Sequence, residues 1–222
     1  MSNKVSIILP CYNQAHWLTD AVVSCIEQTV KPHEIIIVND GSNDSTFNVA
    51  NSLVLQYSDY NIKLITKENG GLSSARNAGI KIATGDYICC LDSDDKLASN
   101  YIEKTLEADD DIVGFSYQEF GDKDGIFPPP FKHPKLEHFR ILNCIICSAL
   151  FKREIWEKVG GYDEDMRLGY EDHDFWMRAL IAGYEVTCVK EILYYYRKHG
   201  KSLVSVAIEN HQAIRDYMNS KY

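Results

Sequence analysis

No apolar run in this sequence approaches the 18 or so residues that a membrane-spanning helix requires. The apolar stretch near the amino terminus is also too short for the core of a secretory signal. Positive charge is scarce, because 23 lysines and arginines stand against 32 aspartates and glutamates. A nucleic-acid partner requires a basic surface, and the net charge of −9 argues against one. We therefore expect a cytoplasmic protein, with peripheral association at the inner face of a membrane and the oligomeric state left open.

Proline and glycine are few, with 6 and 13 in 222 residues, and 45% of the residues are hydrophobic. This composition is typical of a soluble globular chain and excludes a disordered one. The seven cysteines are odd in number and irregularly spaced, which indicates buried free thiols in a reducing compartment. Cys144 and Cys147 have the spacing of a zinc or redox pair, but no second pair completes a zinc site. We expect both to be core residues.

Continuous apolar runs alternate with helical patterns along the first half of the chain. The pattern predicts strands at 5–9, 34–38, 62–66 and 86–91, and helices at 14–29, 43–58 and 70–83. Strands that are apolar throughout are typical of a parallel sheet covered by helices on both faces. The predicted fold class is therefore α/β, with a Rossmann-like, mostly parallel sheet flanked by helices.

The pattern changes after residue 110. A strand over 111–120 leads into a proline-rich stretch that includes Pro128, Pro129 and Pro130, and proline cannot pair inside a sheet. We predict an irregular loop over one face, which would act as a lid. The remaining predicted elements are a strand, short helix and turn over 148–164, a helix over 171–183, strands at 185–189 and 192–197, and a helix over 203–218. Without a repeat or a flexible linker, we expect one domain over 1–222, in two unequal halves that divide near residue 110.

Acidic side chains follow two of the predicted strands. Asp40 lies just past the end of the second predicted strand, and Asp92 and Asp94 lie just past the fourth. Ligands of doubly wound sheets bind beyond the carboxyl ends of the strands, so these carboxylates are expected to face one crevice. An Asp-x-Asp pair suits Mg²⁺ or Mn²⁺, which take oxygen ligands and phosphate oxygens. The alternative is an acidic turn that caps the next helix, and for Asp95 we expect either such a cap or a supporting contact behind the residues that meet the ligand.

The order of short motifs resembles the family 2 glycosyltransferases, which have the GT-A fold. The motifs are VSIILPCYN, IIIVNDGSNDST, ENGGLSSARNAGI, YICCLDSDD, the GGYDE turn and GYEDHDFWMRA, and they run from about residue 4 to residue 200. The resemblance implies that residues 1–110 bind a nucleotide sugar. It also implies that residues 111–222 carry the acceptor side and a C-terminal helix.

The resemblance assigns most of the residues in these motifs to binding of the sugar donor, a nucleotide sugar. It implies that Asp40 binds the nucleotide base, that Tyr12 and Asn13 flank the base and ribose, and that Arg76 faces the nucleotide or its diphosphate. The complete set of implied donor-binding residues is Pro10, Tyr12, Asn13, Asp40, Asn69, Gly71, Arg76, Asp92 and Ser93. Taken one at a time, most of these positions also suit ordinary turns and surface charges.

The same resemblance implies the chemistry. Asp94 would hold Mn²⁺ or Mg²⁺ at the donor diphosphate, with Asp92 and His199 as further metal contacts. Asp172 would be the general base that removes the acceptor proton, with Glu171 as the fallback. Trp176 would form a wall of the acceptor site, although an aromatic residue at helical spacing is more often core.

The predicted function is metal-dependent, inverting transfer of one hexosyl or related sugar from a UDP-linked donor to a hydroxyl acceptor. The acceptor would be a saccharide, a lipid-linked molecule or another hydroxyl compound, and the transfer would serve the synthesis of a polysaccharide, glycolipid or other glycoconjugate. The motif of processive synthases, Q-x-x-R-W, is incomplete here, because Asp216 stands where it requires tryptophan. Two alternatives remain open at this point: a non-catalytic sugar-nucleotide-binding module, and a haloacid-dehalogenase-like phosphatase, whose Asp-x-Asp pair follows the first strand.

Overall fold

The computed structural model describes residues 3–200 and 203–222, with the side chains of residues 203 and 204 left out. Nine strands lie in these ranges: β1 (Val5–Cys11), β2 (Glu34–Asp40), β3 (Ile62–Lys67), β4 (Tyr87–Cys90), β5 (Lys96–Leu97), β6 (Ile112–Gly121), β7 (Gly125–Phe127), β8 (Leu150–Lys152) and β9 (Val186–Lys198). The helices of the same ranges are α1 (Ala15–Ile26), α2 (Thr46–Gln56), α3 (Leu72–Ile82), α4 (Tyr101–Glu107), α5 (Leu136–Phe139), α6 (Arg153–Val159), α7 (Glu171–Ile181), α8 (Leu203–Glu209) and α9 (His211–Asn219).

The strands form one mixed sheet in the order β3-β2-β1-β4-β8-β6-β9-β5, with β7 paired to β6. Strands β1 to β4 are mutually parallel, and β6 and β9 are parallel too, whereas the short edge strand β5 is antiparallel to β9. The short strand β8 is antiparallel to both β4 and β6, so it joins the two halves of the sheet. The prediction of a mostly parallel α/β sheet is confirmed. The topological switch point falls between β1 and β4, where a ligand crevice is expected.

Both faces of β1 and β2 are buried throughout and β4 is buried except at Tyr87, whereas the edge strand β3 is only partly buried. Along β1, Ile7 and Leu9 pack with α1 and α2 on one face, and Ile8 packs with residues of α3 and α7 on the other. Successive side chains of a strand point to opposite faces, so a strand covered on both sides must be apolar at every position. This explains why the sequence showed continuous apolar runs rather than alternation.

The second half differs from the sequence prediction in two places. The two late strands are one strand, β9, whose register against β6 shifts between Gly114 and Ser116. The final helix is two helices, α8 and α9, which meet at Asn210. The proline-rich stretch is irregular, as predicted, apart from the short strand β7 that precedes it.

All seven cysteines are buried and free, as the sequence predicted. Within residues 3–200 and 203–222, none of the helices combines the length and the apolar character that a membrane crossing needs.

Candidate active site

The candidate site lies at the carboxyl ends of the parallel strands. Tyr12 and Asn13 follow β1, Asp40 ends β2, and the acidic loop from Asp92 to Asp95 follows β4. Because β1 pairs with β2 on one side and with β4 on the other, these segments lie along one edge of the sheet. The start of α7 approaches the same edge, since its Glu171 is linked through Arg76 to Asp92.

The carboxylate of Asp40 is buried and fully occupied by the protein. Its Oδ1 accepts bonds from Lys67 Nζ at 2.7 Å and from the Gly70 backbone N–H at 3.0 Å. Its Oδ2 accepts from the Gly71 backbone N–H at 2.9 Å. Asp40 therefore fastens the end of β2 to the turn that opens α3. A nucleotide base would have to replace one of these donors to bind the carboxylate directly.

The other residues expected around the nucleotide line a pair of interlocked loops. Asn13 has a left-handed φ of 55° and its Oδ1 accepts the Asn43 backbone N–H at 2.8 Å. Tyr12 is 48% exposed, so its ring is accessible to a ligand, whereas Pro10 is buried within β1. The Asn69 amide donates to the Asp40 carbonyl at 2.9 Å.

Gly71 directly precedes α3 and has a φ of 90°. A side chain added there would meet no atom within 4 Å, so the space in front of this turn is open. A positive φ favours glycine, which has no side chain to clash with the backbone. This geometry permits the close backbone approach that the sequence predicted.

Asp94 and His199 form a pair at the mouth of the crevice. His199 Nε2 lies 2.9 Å from Asp94 Oδ2, and the two side chains are 33% and 19% exposed. Burial raises the pKa of Asp94, and the nearby charge of Asp92 raises it further, while the bond to His199 lowers it in part. The Asp94 carboxylate thus lies where a positive charge would stabilise its ionised form. Asp94 and His199 are 105 positions apart, so local sequence patterns do not predict their contact.

The donor set suits a divalent cation only in part. In the part of the chain that the structure describes, no three His, Cys, Asp or Glu side chains form a metal-binding cluster. Asp92 is engaged elsewhere, since its Oδ1 accepts a bond from Arg76 at 2.8 Å and its Oδ2 lies 3.5 Å from Cys147 Sγ. Asp94 and His199 remain as an oxygen and a nitrogen ligand, which fits an ion that takes its other ligands from phosphate and water.

The rest of the acidic loop is held by β9 and α1. Asp95 is buried and accepts bonds from the Tyr194 hydroxyl at 2.5 Å and the Arg197 backbone N–H at 2.6 Å. The Arg197 side chain donates to the Asp94 carbonyl at 2.7 Å and stacks 4.0 Å from the Trp17 ring. Asp95 therefore ties the acidic loop to β9 instead of capping a helix.

Ser93, in the same loop, is buried and donates to Gln14 Oε1 beside the start of α1. Its hydroxyl is directed at the protein, so any contribution to donor binding would come through the position of the loop.

Arg76 occupies a different place from the expected one. It is completely buried, and its two terminal nitrogens donate to Glu171 Oε1 at 2.6 Å and to Asp92 Oδ1 at 2.8 Å. Its guanidinium lies 5.4 Å from the ring centre of Tyr162. Burial lowers the pKa of Arg76, but the two carboxylates outweigh this and raise it above its ordinary range. The Arg76 guanidinium therefore links the loop that carries Asp92 to the start of α7 at Glu171. Because both carboxylates bind it at short range, it does not project into the crevice.

Asp172 is the second residue of α7, after Glu171, and it is only partly buried. Its Oδ1 accepts the His173 backbone N–H at 2.8 Å, and its Oδ2 accepts the Asn143 amide at 2.8 Å. Burial raises its pKa, while Arg76 and these two donors oppose the rise. Glu171 is buried and committed to Arg76. The accessible carboxylate of the pair is therefore that of Asp172, and its raised pKa makes it a stronger base than an exposed aspartate.

Trp176 does not reach the crevice. It is 0% exposed and packs edge-on against Phe151 and Phe175 in the core. Trp176 lies one helical turn beyond Asp172 on nearly the same face of α7, at a level where that face is covered by the core. The expected acceptor wall is thus a core residue.

Several residues that shape the site were not predicted to do so. Lys67 ends β3 and contacts Asp40, and the strand-end rule applied to a third strand would have identified it. Tyr162 stands inside the GGYDE motif and Arg197 stands two residues before His199, but the sequence assigns neither of them a role. Asn143 and Cys147 lie in an irregular stretch with no periodicity, and no local signal connects them to residues that are far away in the chain.

Comparisons with known proteins identify the family and the fold. The profile of the family described as Glycosyl transferase family 2 matches residues 6–160, and one described as the N-terminal domain of galactosyltransferase matches residues 133–201. An uncharacterized glycosyltransferase of Bacillus subtilis, EpsJ, is 34% identical over 98% of this chain and 67% of its own length. A second one, from Rickettsia typhi, is 34% identical over 93% of this chain and 68% of its own length.

Solved structures share the architecture. The structure of S. aureus TarS in complex with UDP-GlcNAc superposes with a TM-score of 0.77 at 21% identity, over 97% of this chain and 70% of that one. The mannosyltransferase PcManGT from Pyrobaculum calidifontis, in complex with GDP-Man and Mn²⁺, gives a TM-score of 0.73 at 19% identity, over 96% of this chain and 64% of that one.

The fold and the strand-end crevice define a glycosyltransferase of the GT-A type. Its sequence match covers most of the chain, and the chain belongs to glycosyl transferase family 2. Of the functions weighed from the sequence, sugar transfer is thereby supported over the phosphatase and over a module without activity.

Proposed function

We propose that this glycosyltransferase moves one sugar from a UDP-linked donor to a hydroxyl acceptor, with inversion at the anomeric carbon. The observation that carries the proposal is the bridge through Arg76. It connects Asp92, in the loop that would meet the donor, to Glu171, the neighbour of the proposed base Asp172. Donor contacts and base are thereby held at a fixed separation, which a direct displacement requires.

The proposed reaction needs one proton acceptor. Asp172 accepts the proton of the acceptor hydroxyl, whose oxygen forms the new bond to the anomeric carbon while the bond from that carbon to the diphosphate breaks. No second free carboxylate is assigned as a nucleophile, since Glu171 is paired with Arg76. A single displacement with inversion follows from this assignment.

Asp94 and His199 would hold a divalent cation, Mn²⁺ or Mg²⁺, with Asp92 close by. When bound, such an ion neutralises the charge that develops on the leaving nucleoside diphosphate. The choice of uridine is supported by the TarS complexes with UDP and UDP-GlcNAc, and the choice of manganese by the PcManGT complex.

Calorimetry tests the donor and metal assignment. We expect UDP to bind in the presence of Mn²⁺, and its affinity to fall by about 10-fold or more with a chelator or in the Asp94→Ala variant. The exposed Asp59, in the turn before β3, provides a matched control, because Asp59→Ala should bind UDP like the parent. Unchanged UDP affinity with chelator and in Asp94→Ala would overturn the metal role.

A further inference from the structure

The loop between α5 and β8 lies against the amino terminus of α7. Its Asn143 donates through Nδ2 to Asp172 Oδ2 at 2.8 Å, although the two residues are 29 positions apart. The other carboxylate oxygen accepts the backbone N–H of His173 at 2.8 Å. Each oxygen of Asp172 thus has one protein donor, and two bonds from different segments fix the plane of the carboxylate.

The loop that carries Asn143 is itself anchored. The ring nitrogen Nε2 of His173 lies 2.5 Å from the Phe139 carbonyl oxygen, and Arg215 of α9 donates to the Arg140 carbonyl at 2.6 Å. On the other side of Asn143, Cys144 and Ile145 are buried in the core. Because both flanks are fixed, the Asn143 amide is held in place before any ligand binds.

The Asn143 side chain serves Asp172 and nothing else that the described ranges contain. Its Oδ1 is buried without a hydrogen-bond partner in those ranges, which is an unfavourable arrangement. Rotating the amide by 180° would turn this oxygen toward the carboxylate and replace attraction by repulsion. The orientation of the amide is therefore determined by Asp172.

We infer that Asn143 is a positioning residue, which orients the Asp172 carboxylate toward the acceptor hydroxyl. The inference depends on the proposed role of Asp172 as base. A general base acts only within hydrogen-bond reach of the proton that it removes, and a misplacement of about 1 Å costs on the order of 100-fold in rate. A neutral amide orients the carboxylate of Asp172 and leaves its negative charge in place. A cation in this position would neutralise that charge.

The test measures UDP release and product formation, with the donor and acceptor pair that reacts fastest among UDP-linked sugars and p-nitrophenyl glycosides. We expect Asn143→Ala to lower kcat by about 10- to 100-fold and to leave the KM for the donor unchanged. Asn143→Asp keeps the shape of the side chain but removes the donor, so it should lose at least as much. Leu142→Ala, at the exposed neighbour in the same loop, should react like the parent.

A double variant separates orientation of the base from general damage. If Asn143 acts through Asp172, then adding Asn143→Ala to Asp172→Asn should not lower the residual rate further. A further loss, or a weaker affinity for UDP, would indicate a structural role and overturn the inference. Parental kcat in Asn143→Ala and Asn143→Asp, with transfer abolished in Asp172→Asn, would also overturn it and leave the proposed base intact. Full transfer by Asp172→Asn would instead overturn the proposed base, and this inference with it.

Discussion

At the scale of single residues, Arg76 determines how the acids of the site divide their roles. It is fully buried and binds one carboxylate from each side of the crevice, Asp92 and Glu171. A buried cation is tolerated only when its charge is compensated, and here the two acids compensate it. Asp94 and Asp172, which Arg76 does not bind, are the carboxylates that remain for a metal ion and a proton.

Asp172 provides the sharpest prediction at this scale. Asp172→Asn keeps the size of the side chain but removes the proton acceptor, so kcat should fall by about 100- to 10,000-fold. The affinity for UDP should stay nearly parental, because the donor contacts lie across the crevice. Steady-state kinetics and calorimetry on the same preparation check the two halves of this prediction.

The control for this variant is Glu171→Gln. Since Glu171 is bound to Arg76, its loss should weaken the fold as well as the reaction, and the free energy of unfolding should fall. Asp172 would lose its assignment if Asp172→Asn transferred sugar at the parental rate.

Asp40 shows what a short sequence motif does not specify about a single residue. The sequence indicated that Asp40 lies at the end of a strand beside a crevice, and it does. Its partners Lys67, Gly70 and Gly71 are 27 to 31 positions away, and they reach it because β2 and β3 pair in parallel and α3 begins beside both. Which groups donate hydrogen bonds to a carboxylate depends on this packing. A direct contact between Asp40 and the nucleotide base stays a prediction.

At the scale of elements, the parallel strands of the first half were predictable because β1, β2 and β4 are covered on both faces and the helices between the strands each have a buried face. The second half was harder to predict. Lys190 and Glu191 interrupt the apolar pattern of β9, which suggested two strands, while the shift in register against β6 lets one strand continue past them. Asn210 stands between α8 and α9 in non-helical geometry, and no proline or glycine marked that boundary.

Glu34 joins three elements at the opposite end of the sheet. Its carboxylate accepts bonds from Ser6 of β1 at 2.7 Å, from the Thr84 backbone N–H at 2.6 Å and from Lys63 of β3 at 2.6 Å. Burial raises the pKa of Glu34, but Lys63 and the other donors outweigh it and bring the pKa to about 2. The ionised form is therefore strongly preferred in the folded chain.

The lowered pKa predicts a loss of stability in acid. A carboxyl group whose pKa is lower in the folded state stabilises the fold above its ordinary pKa of 4.5, and this contribution disappears as the pH falls toward 2. Glu34→Gln should lower the free energy of unfolding at pH 7 by about 2–3 kcal/mol and flatten its pH dependence between pH 5 and pH 2. Urea denaturation at several pH values measures both effects.

Glu107 offers the matched control for Glu34. It pairs with Lys104 on the exposed face of α4, where screening by solvent leaves an ion pair little effect on stability. Glu107→Gln should leave the acid dependence unchanged. If the free energy of unfolding depended on pH in the same way in the parent and in Glu34→Gln, the proposed contribution of Glu34 to stability would be refuted.

At the scale of the whole molecule, nucleotide binding should be visible as stability. A ligand that binds only the folded chain, at 100 times its dissociation constant, raises the free energy of unfolding by about 2.7 kcal/mol. For a chain of this size the midpoint of thermal unfolding should then rise by about 5–10 °C with UDP and Mn²⁺. Thermal denaturation with UDP, GDP and ADP compares the bases directly, and equal shifts with all three would contradict selection of uridine.

The sequence by itself determined the α/β class, the positions of the strands in the first half and the location of the acids at strand ends. These properties follow from local periodicity, which is set by burial on one or two faces of each element. Only the tertiary structure decided which acid receives which partner: Arg76 between Asp92 and Glu171, His199 on Asp94 and Asn143 on Asp172. These contacts join residues 16 to 105 positions apart, and short-range hydrogen bonds between such residues exist only once the sheet order has brought their segments together.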